Sequence, residues 1–323
     1  MAAIEVDNLQ RRFGDEVYAV QGIDLHVDEG EIYAFLGPNG AGKTTTVRML
    51  TTLLRPTAGT ARVAGYDVVH DASDVRRAIG VALQEAALDP LMTGRELMRL
   101  SAVLHGIRGK ESRDRADDLL ARVGLTGAAD RRIGTYSGGM RRRLDLGTAL
   151  VHEPRVLFLD EPTTGLDPVS RASIWDEVRK LNDEGTTVFL TTQYLEEADQ
   201  LADRVGISAG GRMAAEGTPA SLKAEVGVPR LEVAIARGDI AAAEEVLGRH
   251  GELLPTRAGT VMITLPGGAS EVAGIVRALD DAGLPVESLD VVQPTLDDVF
   301  VVKTGRSLEG AGAAPAPGEA APA

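Results

Sequence analysis

The chain has 323 residues, of which 44% are apolar, and it carries a formal charge of −14 and no cysteine. This length allows one large core and a smaller domain, and the absence of cysteine excludes disulfides and thiolate metal sites. The negative charge argues against nucleic acid and acidic bilayers as nonspecific partners, because both would repel it, and no segment approaches the roughly 20 apolar residues of a membrane span.

The first segment with a chemical signature is the glycine-rich run at residues 37–44, which fits the pattern G-x-x-x-x-G-K-[ST]. An apolar run over residues 31–36 predicts a buried strand before it, and residues 45–50 can form a helix after it. Glycines let backbone N–H groups converge on phosphate oxygens, and the start of a helix adds partial positive charge. Lys43 can reach the β- and γ-phosphates, and the Thr44 hydroxyl can hold Mg²⁺. The predicted nucleotide-binding residues are Gly37, Pro38, Asn39, Gly40, Ala41, Gly42, Lys43, Thr44 and Thr45.

A helical region is predicted further along the chain. Residues 91–123 carry apolar side chains at helical spacing and contain no strand-like run. This pattern indicates a helical insertion, which we place at about residues 85–150. The segments on either side alternate apolar strand-like runs with helical patterns, as is typical of an α/β fold with a parallel sheet.

Two acidic residues, Asp160 and Glu161, follow the apolar run at residues 156–159. A buried strand of a parallel sheet would deliver them to the rim of the sheet. There Asp160 would bind Mg²⁺ and Glu161 would polarise the water that attacks the phosphate. The alternative is a pair of solvated acids in a surface loop.

A third motif, Ser137-Gly138-Gly139, opens a helical stretch that continues through Leu150. Ser137 is suited to cap this helix, and the glycines leave its N-terminus open to an anion. Arginines flank the motif. They either form solvated helix faces and compensate nearby acids, or include some that contact phosphate or a membrane partner. These arginines are Arg131, Arg132, Arg141, Arg142 and Arg143.

Together with the turn at residues 163–168, these motifs resemble those of the nucleotide-binding subunits of ABC transporters over about residues 3–220. The resemblance implies a P-loop NTPase of the ABC ATPase type, with a RecA-like parallel sheet core, an antiparallel β edge and a helical subdomain. It also implies a homodimer, or a closely related heterodimer, that sandwiches two ATP with Mg²⁺. In such a dimer Asp167 would communicate across the interface, and the γ-phosphate bound by one subunit would be contacted by the other's Ser137, Gly138 and Gly139.

Three further positions correspond to motifs of that family. Gln84 stands where the family has a glutamine that contacts Mg²⁺ and the attacking water and that transmits changes to the transmembrane partner. Phe13 stands where the family stacks an aromatic ring on adenine. The alternative is that Phe13 is an ordinary core residue. Gln193 occupies the place of the usual histidine, which contacts the γ-phosphate. A glutamine amide can still donate a hydrogen bond but cannot titrate near neutral pH, so we expect hydrolysis to persist with Glu161 as the main base. The expected catalytic residues are thus Lys43, Gln84, Glu161 and Gln193, and the expected Mg²⁺ ligands are Thr44, Gln84 and Asp160.

The pattern changes near Pro229, and we predict an ABC domain over residues 1–225 and an accessory α+β domain over residues 226–303. In the second domain, strand-like segments and helical patterns indicate the order β-α-β-β-α-β. The remaining residues, 304–323, are rich in Gly, Ala and Pro and have almost nothing to bury, so we expect a disordered tail.

The sequences at residues 35–42, 163–168 and 294–300 are similar to those of the daunorubicin-type drug-resistance exporters. The glutamine at position 193, in place of the usual histidine, is also similar to members of that branch. This similarity implies an ATPase that powers efflux of an anthracycline-like drug through a separate six-helix membrane permease. The first residues lack a signal-peptide pattern, so the chain would lie at the cytoplasmic side of the membrane, attached through the permease and not inserted itself.

Two alternatives to export remain at this stage. One is a soluble ABC ATPase that remodels another complex, and the other is a regulatory or sequestering protein that turns over little ATP. A single cassette, with only about 94 residues between Lys43 and Ser137, weakens the first alternative. The intact Asp160–Glu161 pair opposes the second, which the glutamine at position 193 otherwise supports.

Overall fold

The computed structural model describes residues 2–14, 17–83, 88–235, 240–255 and 259–306. The chain separates into two compact units, the first extending to Pro219 and the second running from Ala220 to Arg306. The boundary predicted after residue 225 therefore falls inside the second unit, near the end of the helix Pro219–Val226. Most of the predicted tail lies outside the described residues.

The first unit alternates strands with helices along the chain. Its strands are β1 (Ala2–Phe13), β2 (Val17–Asp28), β3 (Ile32–Leu36), β4 (Ala58–Val63), β5 (Tyr66–Asp67), β6 (Ile79–Ala82), β7 (Val156–Asp160), β8 (Thr187–Thr192), β9 (Arg204–Ala209) and β10 (Arg212–Gly217). Its α-helices are α1 (Lys43–Leu50), α2 (Ala72–Ala78), α3 (Gly94–Leu104), α4 (Gly109–Arg122), α5 (Gly138–Ala149), α6 (Pro168–Asp183) and α7 (Leu195–Leu201).

A six-stranded sheet forms the centre of the first unit, in the order β10-β9-β3-β8-β7-β6. Neighbouring strands run parallel, except at the antiparallel edge strand β10. Strands β3, β7 and β8 are buried along their whole length, as expected where both faces of a parallel sheet are covered. This arrangement confirms the predicted α/β class with a parallel sheet core and an antiparallel edge.

The carboxyl ends of β3, β7 and β8 lie side by side at one edge of this sheet. Leu36 at the end of β3 pairs with Thr192 of β8, and Asp160 at the end of β7 pairs with Thr191. The loops that leave these three strands are therefore neighbours, although they are far apart in sequence. These loops begin at Gly37, Glu161 and Gln193.

A second sheet of the first unit, ordered β2-β1-β4-β5, is antiparallel and shares one hydrophobic core with the central sheet. The ring of Phe189 lies in this core. Its centroid is 5.5 Å from those of Tyr33 and Phe158 and 6.0 Å from that of Phe35. Aromatic side chains bury a large apolar area, so this cluster stabilises the strands that carry the glycine-rich run at residues 37–44 (the phosphate loop) and the acids Asp160 and Glu161.

Helices α3, α4 and α5 lie between β6 and β7 along the chain and contact one another. Helix α3 begins with a capping box, in which Thr93 Oγ1 accepts from the Glu96 amide and the Glu96 carboxylate accepts from the Thr93 amide. Met98 of α3 and Leu120 of α4 are buried. The helices coincide with the apolar spacing that predicts a helical insertion over residues 91–123.

The second unit has its own sheet and core. Its helices are α8 (Pro219–Val226), α9 (Ile240–Leu247), α10 (Ala269–Asp281) and α11 (Leu296–Thr304), and its strands are β11 (Arg230–Ile235), β12 (Leu253–Leu254), β13 (Thr260–Thr264) and β14 (Val286–Val292). The sheet is antiparallel, in the order β12-β13-β11-β14. Alternate residues of β11 and β13 meet apolar residues of α9 and α10 in the core, which includes Leu231, Val233, Leu247, Ile263 and Leu279.

Candidate nucleotide site

The phosphate loop connects β3 to α1, and its conformation requires glycine. Gly40 has a φ of 81° and Gly42 a φ of 91°, both in the left-handed region that side chains disfavour. A Cβ atom on Gly42 would lie 2.4 Å from the Ala19 carbonyl oxygen, and one on Gly37 would lie 2.5 Å from that of Ser208. The backbone of the loop thus packs directly on neighbouring strands, which shapes it for a close approach to phosphate.

Lys43 stands at the start of α1, with 4% of its surface exposed. Its Nζ atom donates to the carbonyl oxygens of Gly37, at 2.8 Å, and Pro38, at 3.1 Å. The same atom lies 3.2 Å from Glu161 Oε1. A buried ammonium needs such partners, because desolvation of an unpaired charge is costly. The lysine is therefore held inside the curve of the loop, beside the second of the two predicted acids.

The two acids are buried, with Asp160 1% and Glu161 7% exposed, so the alternative of two solvated loop residues is wrong. Asp160 Oδ1 accepts from the hydroxyls of Thr191, at 2.5 Å, and Thr44, at 3.2 Å. Glu161 Oε2 accepts from Thr164 at 3.2 Å. The three strands thus bring together the lysine, the threonine and both carboxylates that the motifs predict.

The residues at this point fit a magnesium ion. Asp160 Oδ2 is buried and has no hydrogen-bond partner, and Thr44 offers a hydroxyl oxygen beside it. Mg²⁺ prefers oxygen ligands, and with a bound phosphate it takes only one or two from the protein. Within the described parts of the chain, no group of three or more acidic or histidine residues could enclose a metal. Gln84, the other predicted ligand, lies outside the described residues.

The Ser137-Gly138-Gly139 motif opens helix α5. Ser137 is the N-cap, and its Oγ accepts from the Met140 amide at 3.2 Å. Ser137 and Gly138 are exposed, whereas Gly139 is buried. A Cβ on Gly139 would lie 2.7 Å from the hydroxyl oxygen of Ser170. The helix tip is therefore open to a ligand on one side and packed against the start of α6 on the other.

Asp167 caps α6 at the same place. Its carboxylate accepts from the Ser170 amide at 2.9 Å and from the Ser170 hydroxyl at 2.6 Å. These hydrogen bonds from Ser170 lower the pKa of Asp167. Because Ser170 also contacts Gly139, the structure places Asp167 next to the serine–glycine motif of its own chain, at one surface.

Phe13 ends strand β1 and has 42% of its surface exposed, so it is not an ordinary core residue. The guanidinium of Arg11 lies 4.5 Å from the centre of its ring. A cation over an aromatic face is attractive and orients the ring. Gln193 is half-buried directly after β8, next to Thr192, at the sheet edge that holds the carboxylates.

Two buried residues of this region carry no motif in the sequence. Thr191 donates to Asp160, and its Oγ1 accepts from the Glu161 amide at 3.2 Å, so it holds both acids. Glu197 of α7 accepts from Thr163 Oγ1 at 2.8 Å and from Trp175 Nε1 at 3.0 Å. Burial raises the pKa of Glu197, and hydrogen bonds from Thr192, Trp175 and Thr163 oppose that rise. Thr191 could have been found from the sequence, because it is a polar residue near the end of a buried apolar run. No sequence pattern distinguishes Glu197 from its neighbours.

Comparison with known proteins identifies the family. Residues 20–164 match the family model for ABC transporters, and residues 217–304 match the model for the C-terminal domain of DrrA1-3-like ATP-binding proteins. The chain is 49% identical to the daunorubicin resistance ATP-binding protein DrrA3 of Streptomyces coeruleorubidus, over 94% of this chain and 96% of that protein. The chain belongs to the ABC transporter ATP-binding proteins. It carries the DrrA-like C-terminal domain as its second unit.

This ABC protein is also 46% identical to the daunorubicin/doxorubicin resistance ATP-binding protein DrrA of Streptomyces peucetius, over 95% of this chain and 94% of that protein. Among solved structures, it is similar to a dimeric ATP-binding cassette in a post-hydrolysis state bound to ADP and Pi. That likeness has a TM-score of 0.62 at 27% identity and covers 67% of this chain and 98% of the other. The predicted ABC ATPase fold is thus confirmed, and the chain binds ATP and couples its hydrolysis to transport.

The comparisons also bear on assembly. Dimeric cassettes are among the structural neighbours, so a dimer is the assembly that these comparisons suggest. Within the ranges that the structure describes, no helix has the length and apolar character needed to cross a bilayer.

Proposed function

We propose that this ABC ATPase powers the export of a drug or antibiotic of the anthracycline class through a separate six-helix membrane permease. The observation that carries the proposal is the combination, in one chain, of a buried phosphate site with the C-terminal unit of the DrrA type. Relatives that share both regions are named for daunorubicin and doxorubicin resistance. The chain would be held by the permease at the cytoplasmic side of the cell membrane.

Within one subunit, the chemistry follows from the neighbours of the phosphate loop. Lys43 and the loop amides would bind the β- and γ-phosphates. Glu161, whose Oε1 lies 3.2 Å from Lys43 Nζ, would accept a proton from the water that attacks the γ-phosphorus, while the bond to the ADP oxygen breaks. Gln193 would donate its amide to the γ-phosphate. When Mg²⁺ is bound by Thr44, Asp160 and Gln84, its charge would stabilise the phosphate oxygens.

Nucleotide recognition and dimer formation use exposed groups. Arg11 occupies one face of the Phe13 ring, so the opposite face would stack on adenine. The exposed Ser137 and Gly138, with the buried Gly139 behind them, would contact the γ-phosphate held by the other subunit of a homodimer. Bound ATP would then favour the closed dimer, and hydrolysis of the ATP would allow the dimer to open.

A transport assay tests the proposal directly. The chain is expressed with the membrane protein that co-purifies with it, and ATP-dependent uptake of daunorubicin into inverted vesicles is measured. We expect uptake with the wild-type chain and none with the Glu161→Gln variant. If the chain were a soluble ABC ATPase, no membrane protein would co-purify with it. The wild-type chain and the Glu161→Gln variant would then give the same background uptake of daunorubicin.

Crosslinking tests the dimer. The chain lacks cysteine, so paired cysteines can be introduced without background. In the Glu161→Gln variant, we expect Ser137→Cys on one subunit to crosslink to Asn39→Cys on the other with ATP but not with ADP. Failure to crosslink with either nucleotide would contradict the shared ATP site.

A further inference from the structure

Arg142 of helix α5 joins two segments of the chain through their backbones, the one that follows β6 and the one at the end of β7. Its side chain is only 10% exposed. Its Nη2 donates to the Asp160 carbonyl oxygen at 2.7 Å, and its Nε donates to that of Pro162 at 2.9 Å. Its Nη1 donates to the Leu83 carbonyl oxygen at 2.5 Å. Arg142 is therefore not on a solvated helix face, although it lies beside Asp145, as predicted for arginines that compensate nearby acids.

Two of these carbonyls flank the catalytic base. Glu161 lies between Asp160 and Pro162, and its φ of 48° is in the left-handed region that non-glycine residues seldom adopt. Such a conformation persists only where the surroundings determine it, and it is concentrated at functional sites. One planar guanidinium bonded to the carbonyl on each side fixes the backbone of Glu161, and so directs its carboxylate towards Lys43.

The third carbonyl belongs to the residue before Gln84 in the sequence, the position where the ABC family contacts Mg²⁺ and water. The charge of Arg142 is balanced by Asp145 of the same helix, whose Oδ2 lies 3.4 Å from Nη1. A lysine would carry the same charge but only one nitrogen, and it could not reproduce the fork that spans three carbonyls.

The position of Arg142 in α5 gives this contact its significance. The residue lies in the second turn of the helix whose tip carries Ser137 and Gly139. In the proposed dimer that tip contacts the ATP of the other subunit, whereas Glu161 acts on the ATP of its own subunit. We propose that Arg142 is a positioning residue that ties the serine–glycine helix to Glu161 and thereby links the two ATP sites. This inference rests on the proposed function.

The test compares Arg142→Lys with Arg143→Lys. Arg143 is the matched control, because it is the next residue of α5 and donates to the carbonyls of Val123 and Gly124, away from the phosphate loops. Measured where the variant is fully folded, Arg142→Lys should lower the kcat for ATP about tenfold and leave KM nearly unchanged, because an interaction used in the transition state is lost. The Arg143→Lys variant should keep its kcat.

A double-mutant cycle with Ser137→Ala then separates positioning from general packing. If Arg142 transmits the position of the helix tip, the double variant should be no slower than the slower single variant. The inference would be overturned if the losses of kcat in the two single variants multiplied in the double variant. It would also be overturned by an unchanged kcat for Arg142→Lys or by an equal loss for Arg143→Lys. If Arg142→Lys does not fold, Arg142→Gln replaces it. Failure of both to fold, with Arg143→Lys folding normally, would assign Arg142 a structural role only.

Failure of the inference about Arg142 can be distinguished from failure of the proposed function. Turnover retained by Glu161→Gln, or a normal kcat for Ser137→Ala, would contradict the proposed ATP site and the link with it. Loss of turnover in Glu161→Gln together with a normal kcat in Arg142→Lys would contradict this inference alone.

Discussion

The two units of the protein bury different kinds of side chain. Among the described residues, the buried acidic and basic side chains belong to the first unit, and they are Glu31, Lys43, Asp145, Asp160, Glu161, Glu177 and Glu197. The core of the second unit is formed by apolar residues such as Val233 and Leu279. Buried charges are costly unless they are paired, and three of these side chains, Lys43, Asp160 and Glu161, lie together at the phosphate loop.

Sheet topology explains this difference. In the first unit the parallel strands β3, β7 and β8 all end at one edge, so three loops with polar groups converge there. In the second unit successive neighbours run antiparallel, and strand ends alternate between the two edges. A parallel sheet therefore gathers functional groups that are distant in sequence, while the antiparallel sheet mainly provides a packing face.

The largest expected effect concerns Glu161. Replacing the base by an amide should lower kcat by about 10²- to 10⁴-fold, because the attacking water loses its proton acceptor. ATP affinity should persist, since Lys43 and the loop amides remain. Glu287→Gln, at an exposed carboxylate of the second unit, is the control and should keep wild-type turnover. If Glu161→Gln and Glu287→Gln had similar kcat values, the first unit could not be assigned the chemistry from these rates.

The core of the second unit can be weakened without touching the chemistry. Leu279 of α10 is fully buried, so Leu279→Ala should lower the free energy of unfolding by about 2–5 kcal/mol, as measured with denaturant. Val276→Ala, on the exposed side of the same helix, should change it far less. The kcat of both variants, measured under native conditions, should equal that of the wild type. A loss of kcat in Leu279→Ala would show that catalysis depends on the second unit.

Asp145 tests the cost of a buried charge in the first unit. Burial raises its pKa to about 6, although Arg142 opposes the rise. The folded state therefore holds the proton more tightly than the unfolded state, and this stabilising contribution is complete below about pH 4 and lost as the pH rises to about 6. Relative to the wild type, Asp145→Asn should gain up to ~3 kcal/mol of unfolding free energy between pH 4 and pH 7.

Unfolding titrations at several pH values measure this difference. The exposed Asp118→Asn, in α4, is the control and should follow the wild type throughout. A constant difference between Asp145→Asn and the wild type across that pH range would mean that the buried carboxyl does not titrate as inferred.

The smallest expected effect is at Gln193. Converting it to histidine should change kcat by less than about tenfold, or ~1.4 kcal/mol of barrier, because an amide and an imidazole can both donate to phosphate. The variant should also acquire a pH dependence near the histidine pKa that the wild type lacks. Rate measurements from pH 5 to pH 8 test both points. A collapse of activity in Gln193→His would count against Glu161 as the main base.

The sequence by itself determined the phosphate loop, the two acids at the end of β7, the serine–glycine helix start and the fold class. Each of these depends on residues that are adjacent in the chain, so local spacing is enough to specify them. The strand positions were also readable, because strands buried on both faces of a parallel sheet appear as unbroken apolar runs. The exact division between the units was less readable, since it falls within one helix.

Only the tertiary structure decided how those segments hold one another. The contacts of Arg142 with Leu83 and Pro162, and of Glu197 with Thr163, join residues that are 20 or more positions apart. The exposure of Phe13 and the support of both acids by Thr191 likewise depend on which strands pair. Polar side chains that bond to remote backbone leave no periodic trace in a sequence, because their partners are set by packing and not by spacing.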